Sequence, residues 1–240
     1  MKVDIIMPTY NPKSYIVEAI DSCLNQSYKD YKLTVVDDCS TSDISGLKKR
    51  YPQVNFIKTP ENVGPGGARN YGISMTTAPL ISFLDDDDIM NQDKLFSSVH
   101  AMINNPELGM VCGNYKILVN GRVRPQFYPQ KIIINHARLM SQNFVASGST
   151  TIRRDVFNKI GPFNEKYWIA EDYDYWLRIS ELYPIEYIHK VMYYYRIIPN
   201  GGSLTQRSDI QLKHAENIKE IRKASIGRMD LAKSTKKTSD

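Results

Sequence analysis

The chain has 240 residues, of which 42% are hydrophobic and 24% charged, and carries a formal net charge of +5. That length suits one large α/β domain, or one domain with an appendage, and the composition excludes a chain disordered over most of its length. No run of about 18 apolar residues occurs, which excludes a bilayer-spanning helix, and the modest positive excess, partly in Lys233, Lys236 and Lys237, falls short of what a nucleic-acid partner would need.

Val3 to Met7 is a short apolar run broken by Pro8, as expected of a buried strand, and it starts the chain without a signal-peptide layout. Asn11 and Pro12 supply an N-cap and a first-turn proline for a helix with Tyr15, Ile16, Ala19, Ile20, Cys23 and Leu24 at helical spacing. Leu33 to Val36 is a second buried strand, ending at Asp37-Asp38. A helix over 43–51, a strand over 54–57, a helix over 66–75, a strand over 80–84 and a helix over 92–104 follow. This alternation predicts a parallel, doubly wound sheet, in which ligands bind beyond the carboxyl ends of the strands. Polar groups gather there: Pro8, Thr9, Tyr10 and Asn11, then Asp37-Asp38, then Asp85 to Asp88.

The second half changes character. Met110 to Cys112 and Tyr115 to Val119 read as strands, and Asn120-Gly121 as a hairpin turn. A helix over 135–142, a short strand over 148–152, a helix over 171–183, an aromatic strand over 185–195 and a helix over 209–224 complete the chain, before a solvated tail. The division expected is a domain over 1–205, with a nucleotide-binding half (1–105) and an acceptor-binding half (106–205), then a C-terminal helix and basic tail (206–240). Cys23, Cys39 and Cys112 are far apart and odd in number, which suggests free thiols in a reducing cytoplasm. The 16 tyrosines suit a sugar-handling surface and core packing equally.

The densest chemical signal is Leu80 to Leu84 running into four consecutive carboxylates, Asp85 to Asp88. Like charges at the end of a buried strand need a neutraliser. A hard divalent cation, Mg²⁺ or Mn²⁺, shared with phosphate oxygens, is the natural one. A solvated acidic turn with Asp88 as an N-cap is the plain alternative. Asp37 and Asp38 offer either an acceptor for an imide N–H, as in uracil, or an Asx-turn helped by Ser40 and Thr41. Asn62 to Asn70 is a glycine-rich loop opening a helix. Gly64 and its neighbours permit close backbone approach, and Arg69 supplies a forked donor for phosphate or a carboxylate. It matches neither the Walker pattern nor the dinucleotide fingerprint. Glu171, Asp172 and Asp174 open a helix, either as complements to its dipole or as a source of a general base.

Ile5-Ile6-Met7-Pro8-Thr9-Tyr10-Asn11, Val35 to Ser40, Asn62-Val63-Gly64 with Ala68-Arg69-Asn70, Phe83 to Asp88, and Glu171 to Asp174 together resemble the family 2 glycosyltransferases of the GT-A fold, over residues 2–196. The resemblance implies a Rossmann-like, mostly parallel α/β sheet flanked by helices, and an inverting transferase that uses a nucleotide-activated sugar, most often a UDP-sugar, with Mn²⁺ or Mg²⁺. It implies Pro8, Thr9, Tyr10 and Asn11 at the base and ribose, Asp38 on the uracil with Asp37 nearby, and Gly64 and Arg69 bracing the nucleotide pocket. Asp87 and Asp85 would be metal ligands, Asp86 would lie near the ribose, Asp172 would be the catalytic base, and Glu171 would sit beside the acceptor. Trp168, Tyr173 and Trp176 offer sugar-stacking faces, although Trp176, at helical spacing, fits core packing better.

Two departures from the family pattern stand out. No histidine follows Tyr195-Arg196, which runs into Ile197 to Ser203, and His189 lies earlier on a strand-like run. The Gln-x-x-Arg-Trp signature of processive synthases is absent, so addition of a single sugar is expected. The partners implied are a nucleotide-sugar donor and a glycan or lipid-linked acceptor, with peripheral membrane contact through a basic C-terminal helix (Lys213, Lys219, Arg222, Lys223, Arg228) set against simple packing of that helix on the domain. A sugar nucleotidyltransferase and an inactive sugar-nucleotide-binding protein are the alternatives. The oligomeric state is left open.

Overall fold

The structure is a computed structural model that describes residues 1–124, 134–198 and 208–237. In chain order its elements are β1 (Val3–Thr9), α1 (Tyr15–Leu24), β2 (Tyr31–Asp37), α2 (Ser45–Arg50), β3 (Asn55–Lys58), α3 (Gly64–Ser74), β4 (Leu80–Phe83), β5 (Ile89–Met90) and α4 (Lys94–Asn104). The second half contributes β6 (Met110–Val119), β7 (Arg122–Val123), α5 (His136–Ser141), a 3₁₀ turn (Ser147–Ser149), β8 (Thr151–Arg153), α6 (Arg154–Ile160), α7 (Glu171–Leu182), β9 (Ile185–Ile197) and α8 (Ser208–Lys237).

One sheet carries the order β3-β2-β1-β4-β8-β6-β9-β5, with β7 paired to β6. The first four strands in that order are parallel, as the strand–helix alternation requires. β8 then runs antiparallel to β4, β6 antiparallel to β8, and β9 parallel to β6. Side chains alternate through the sheet. Val3, Ile5 and Met7 of β1 join a core with α1 and α4, while Ile6 joins the opposite core with α3, α6 and α7. Ile221 of α8 is fully buried in that second core. No described helix is long and apolar enough to cross a membrane.

Several expectations are corrected. Asn11 does not cap α1, whose N-cap is Ser14 without a side-chain bond. Asn11 instead adopts a left-handed φ of 48°, and its carboxamide oxygen accepts from Thr41 N, Thr41 Oγ1 and Ser42 N. The two strands expected over 110–119 are one, with register shifts around Asn114 where Gly113 packs against β9 backbone. The Asn120-Gly121 hairpin holds, with φ of 50° and 73°. The strand expected at 148–152 is a 3₁₀ turn followed by β8. Short β5 and α6 were not legible. Asp88 caps no helix: its Oδ1 accepts from Arg196 N. α8 is helical through Lys233, Lys236 and Lys237, where a solvated tail was expected. Its face is also not uniformly free and basic. Arg222 donates to Tyr173 Oη and Ser141 O, and Arg228 pairs with Glu181 at 2.8 Å, so both arginines dock the helix.

Candidate active site

β1, β2 and β4 end at one edge of the sheet, and α7 starts opposite them. Between these ends lies a cavity of about 710 Å³. Pro8, Thr9, Tyr10, Asn11, Asp38, Gly64, Arg69, Asp85, Asp86, Asp87, Trp168, Glu171 and Asp172 all line it. Asp37 does not. Its Oδ1 accepts from Ser40 N at 2.9 Å and its Oδ2 lies 3.6 Å from Lys58 Nζ, so it builds the Asx-turn and not the pocket.

Asp38 points the other way, into the cavity, and has a structural task that sequence reading missed. Oδ1 accepts from Thr59 Oγ1 and Val63 N, both at 3.0 Å, and Oδ2 accepts from Gly64 N at 2.8 Å. The carboxylate thereby fastens the glycine loop to β2. A carboxylate has about four lone-pair sites, so one acceptor position remains for a ligand. Gly64 has a φ of +77°, and a Cβ there would come within 3.0 Å of the Trp168 ring. Glycine is thus required both by the backbone and by the indole stacked on it. Trp168 is 47% exposed over the cavity, whereas Trp176 is fully buried against Phe83 and Phe163.

The acidic turn is held from several sides. Thr9 Oγ1 donates to Asp86 Oδ2. Buried Arg69 donates to Asp85 Oδ1 at 2.7 Å and to Glu171 Oε1 at 2.6 Å, joining the end of β4 to the start of α7. Glu171 therefore commits its Oε1 to Arg69. Arg196 donates from its Nε to Asp87 O and from its Nη2 to Glu18 Oε2, with its guanidinium 4.6 Å from the Tyr15 ring centroid. Lys94, at the start of α4, is completely buried and donates from Nζ to Phe83 O at 2.7 Å.

Burial raises the proton affinity of the turn. It pushes the Asp86 carboxyl up to about 7, against the hydrogen bond from Thr9. Burial and then the Asp85 charge push Asp87 up, and burial followed by Asp87 and Asp85 pushes Asp88 well up. Burial lowers the Lys94 ammonium to about 7, with Cys23, Asp85 and Asp88 pulling it back up. Asp172 is half-buried; burial raises its carboxyl, and Arg69 opposes the rise. Its Oδ1 accepts from Tyr173 N at 2.6 Å and its Oδ2 from Ser147 Oγ at 3.1 Å. Ser147 was not anticipated, and no local motif marks it.

Asp85 keeps one carboxylate oxygen clear of Arg69, and no hydrogen bond to the Asp87 carboxylate occurs among the described residues. No cluster of three or more His, Cys, Asp or Glu that could hold a metal exists among the described residues. Two hard oxygen donors facing a cavity fit a Mg²⁺ or Mn²⁺ whose remaining positions go to water and ligand phosphate, and do not fit an all-protein cage. Lys13 and His214 also line the cavity, the latter carried in on α8. His189 is exposed beside Tyr187 and off the cavity. Residues 199–203, after the late strand, lie outside the described residues.

Comparison with known proteins bears on family and fold. The family model described as "Glycosyl transferase family 2" matches residues 4–161. An uncharacterized glycosyltransferase of Methanocaldococcus jannaschii is 29% identical over 215 residues, covering 85% of this chain and 73% of that protein. The Escherichia coli UDP-Glc:alpha-D-GlcNAc-diphosphoundecaprenol beta-1,3-glucosyltransferase WfgD is 32% identical over 180 residues, covering 74% of this chain and 69% of that protein. Among solved structures, S. aureus TarS 1-349 in complex with UDP-GlcNAc superposes with a TM-score of 0.70 at 25% identity, covering 83% of this chain but 60% of that one. The fold is the GT-A fold, and the chain belongs to glycosyltransferase family 2.

Proposed function

We propose that this chain is a metal-dependent, inverting glycosyltransferase that moves one sugar from a UDP-sugar to a hydroxyl of a glycan or lipid-linked acceptor. The observation that carries this reading is the Arg69 bridge. One buried guanidinium binds both Asp85 and Glu171, so the acidic turn and the Asp172 carboxylate face the same cavity. A diphosphate leaving group and an acceptor hydroxyl then have separate partners on opposite walls.

Pro8 to Asn11 and the remaining acceptor position of Asp38 receive the base and ribose. Asp85 and Asp87 would hold Mn²⁺ or Mg²⁺, which when bound would neutralise the charge that develops on the departing diphosphate. Asp172, raised in proton affinity by its burial, takes the proton from the acceptor hydroxyl. The acceptor oxygen forms its bond to the anomeric carbon on the face opposite the diphosphate, whose bond to that carbon breaks, and the configuration inverts. Trp168 gives the acceptor a flat apolar face.

The UDP-sugar is supported by the uridine nucleotides named for WfgD and TarS. A lipid-linked acceptor is supported by WfgD. Contact with the inner membrane surface from the cytoplasm is supported by α8, where Leu212 and Ile226 are 74% and 53% exposed beside Lys219 and Lys223.

A panel of UDP-glucose, UDP-N-acetylglucosamine and GDP-mannose, each incubated with Mn²⁺, tests the proposal. Release of UDP from a uridine donor, abolished by a chelator, is expected. Turnover only as pyrophosphate release from a sugar 1-phosphate and a nucleoside triphosphate would assign a nucleotidyltransferase and overturn it.

A further inference from the structure

Lys94 has no part in the chemistry above, yet its position is costly. A lysine without any exposed surface is rare unless paired. This one has a single hydrogen-bond acceptor, the Phe83 carbonyl at 2.7 Å, and no carboxylate in ion-pair contact among the described residues. Phe83 ends β4, just before the acidic turn, so the ammonium lies beneath that turn, within electrostatic reach of Asp85 and Asp88.

The two other buried cations at the turn are shared. Arg69 divides its charge between Asp85 and Glu171, and the Arg196 side chain reaches Glu18 and a backbone carbonyl. Lys94 is the buried cation there with no second carboxylate to serve. The protonated ammonium under the turn weakens the field that draws in a free divalent cation, while a diphosphate bridging that cation adds negative charge and reverses the effect.

We infer that Lys94 is a positioning residue, a resident counter-cation that makes divalent-metal binding at the acidic turn conditional on a nucleotide diphosphate. This rests on the assignment of Asp85 and Asp87 as metal ligands, and the experiment separates the two. Mn²⁺ affinity is measured on the full chain by electron paramagnetic resonance, with and without UDP, over a pH series. Lys94→Met fills the space without charge, and such replacement of a buried charge is commonly neutral or stabilising. Lys94→Gln retains a donor for the Phe83 carbonyl.

The wild type is expected to bind Mn²⁺ weakly alone and more tightly with UDP. In both variants binding of Mn²⁺ alone tightens by about tenfold or more, since a unit charge about 10 Å from a divalent ion is worth at least that at any effective dielectric below about 50, and the enhancement by UDP shrinks. Unchanged or weaker Mn²⁺ binding in Lys94→Gln overturns the counter-cation role and leaves the metal site standing. A wild type that binds no Mn²⁺ even with UDP overturns the metal assignment and this inference together.

Discussion

Asp172→Asn lowers turnover by about 10²–10⁴-fold, the usual range for a general base, while UDP–Mn²⁺ affinity measured by calorimetry stays unchanged. The substitution is nearly isosteric. The retained carbonyl oxygen still accepts from Tyr173 N, and the new amide group faces a Ser147 hydroxyl that is able to accept in turn. The fold and the nucleotide site therefore survive, and what disappears is the one group placed to take a proton from the acceptor. Initial rates with a competent donor and acceptor read the effect. Turnover equal to that of the wild type would assign the base elsewhere; on the same wall Glu171 is tied to Arg69, and Asp38 is tied to its loop.

Arg69→Met acts on stability as strongly as Asp172→Asn acts on rate. One buried guanidinium neutralises Asp85 and Glu171 and also lies 5.8 Å from the Phe163 ring centroid. Its removal leaves acids at the β4 and α7 ends without a counter-charge, which costs about 3–5 kcal/mol for a broken buried pair. For a chain of this length the melting temperature falls by roughly 10 °C. Adding Glu171→Gln to Arg69→Met restores part of the loss, since the two residues share one interaction. A loss of under about 1 kcal/mol in a denaturant titration would show that the bridge does not hold the two walls together.

The parallel half of the sheet was legible because each strand is a short apolar run and each helix has its own periodicity. The cavity followed from it, since polar residues at the ends of β1, β2 and β4 must meet at one edge. A short strand at β8 was legible but its antiparallel pairing was not, and the two-residue β5 and the short α6 carry too little pattern to read. Residue pattern alone did not divide Asp37 from Asp38; the family resemblance did. Neighbouring residues point to opposite sides, and only the sheet register shows which side is the cavity.

The remaining gaps are long-range contacts. Ser147 meets Asp172 from a 3₁₀ turn between α5 and β8. His214 reaches the cavity from a helix read as an appendage. Lys94 begins a correctly anticipated helix, yet nothing in the helical pattern distinguishes a buried ammonium from a solvated one. The charged side chains of α8 illustrate the same limit, because Arg222 and Lys223 are adjacent in sequence while Arg222 bonds inward to Tyr173 and Lys223 is exposed.

A crystal structure with UDP and Mn²⁺ bound tests the central claim most directly. Uracil is expected against Pro8 to Asn11 and Asp38, the metal between the diphosphate and the carboxylates of Asp85 and Asp87, and Asp172 facing the space beyond the diphosphate. A nucleotide seated outside this cavity, or a diphosphate whose metal touches neither Asp85 nor Asp87, would contradict it.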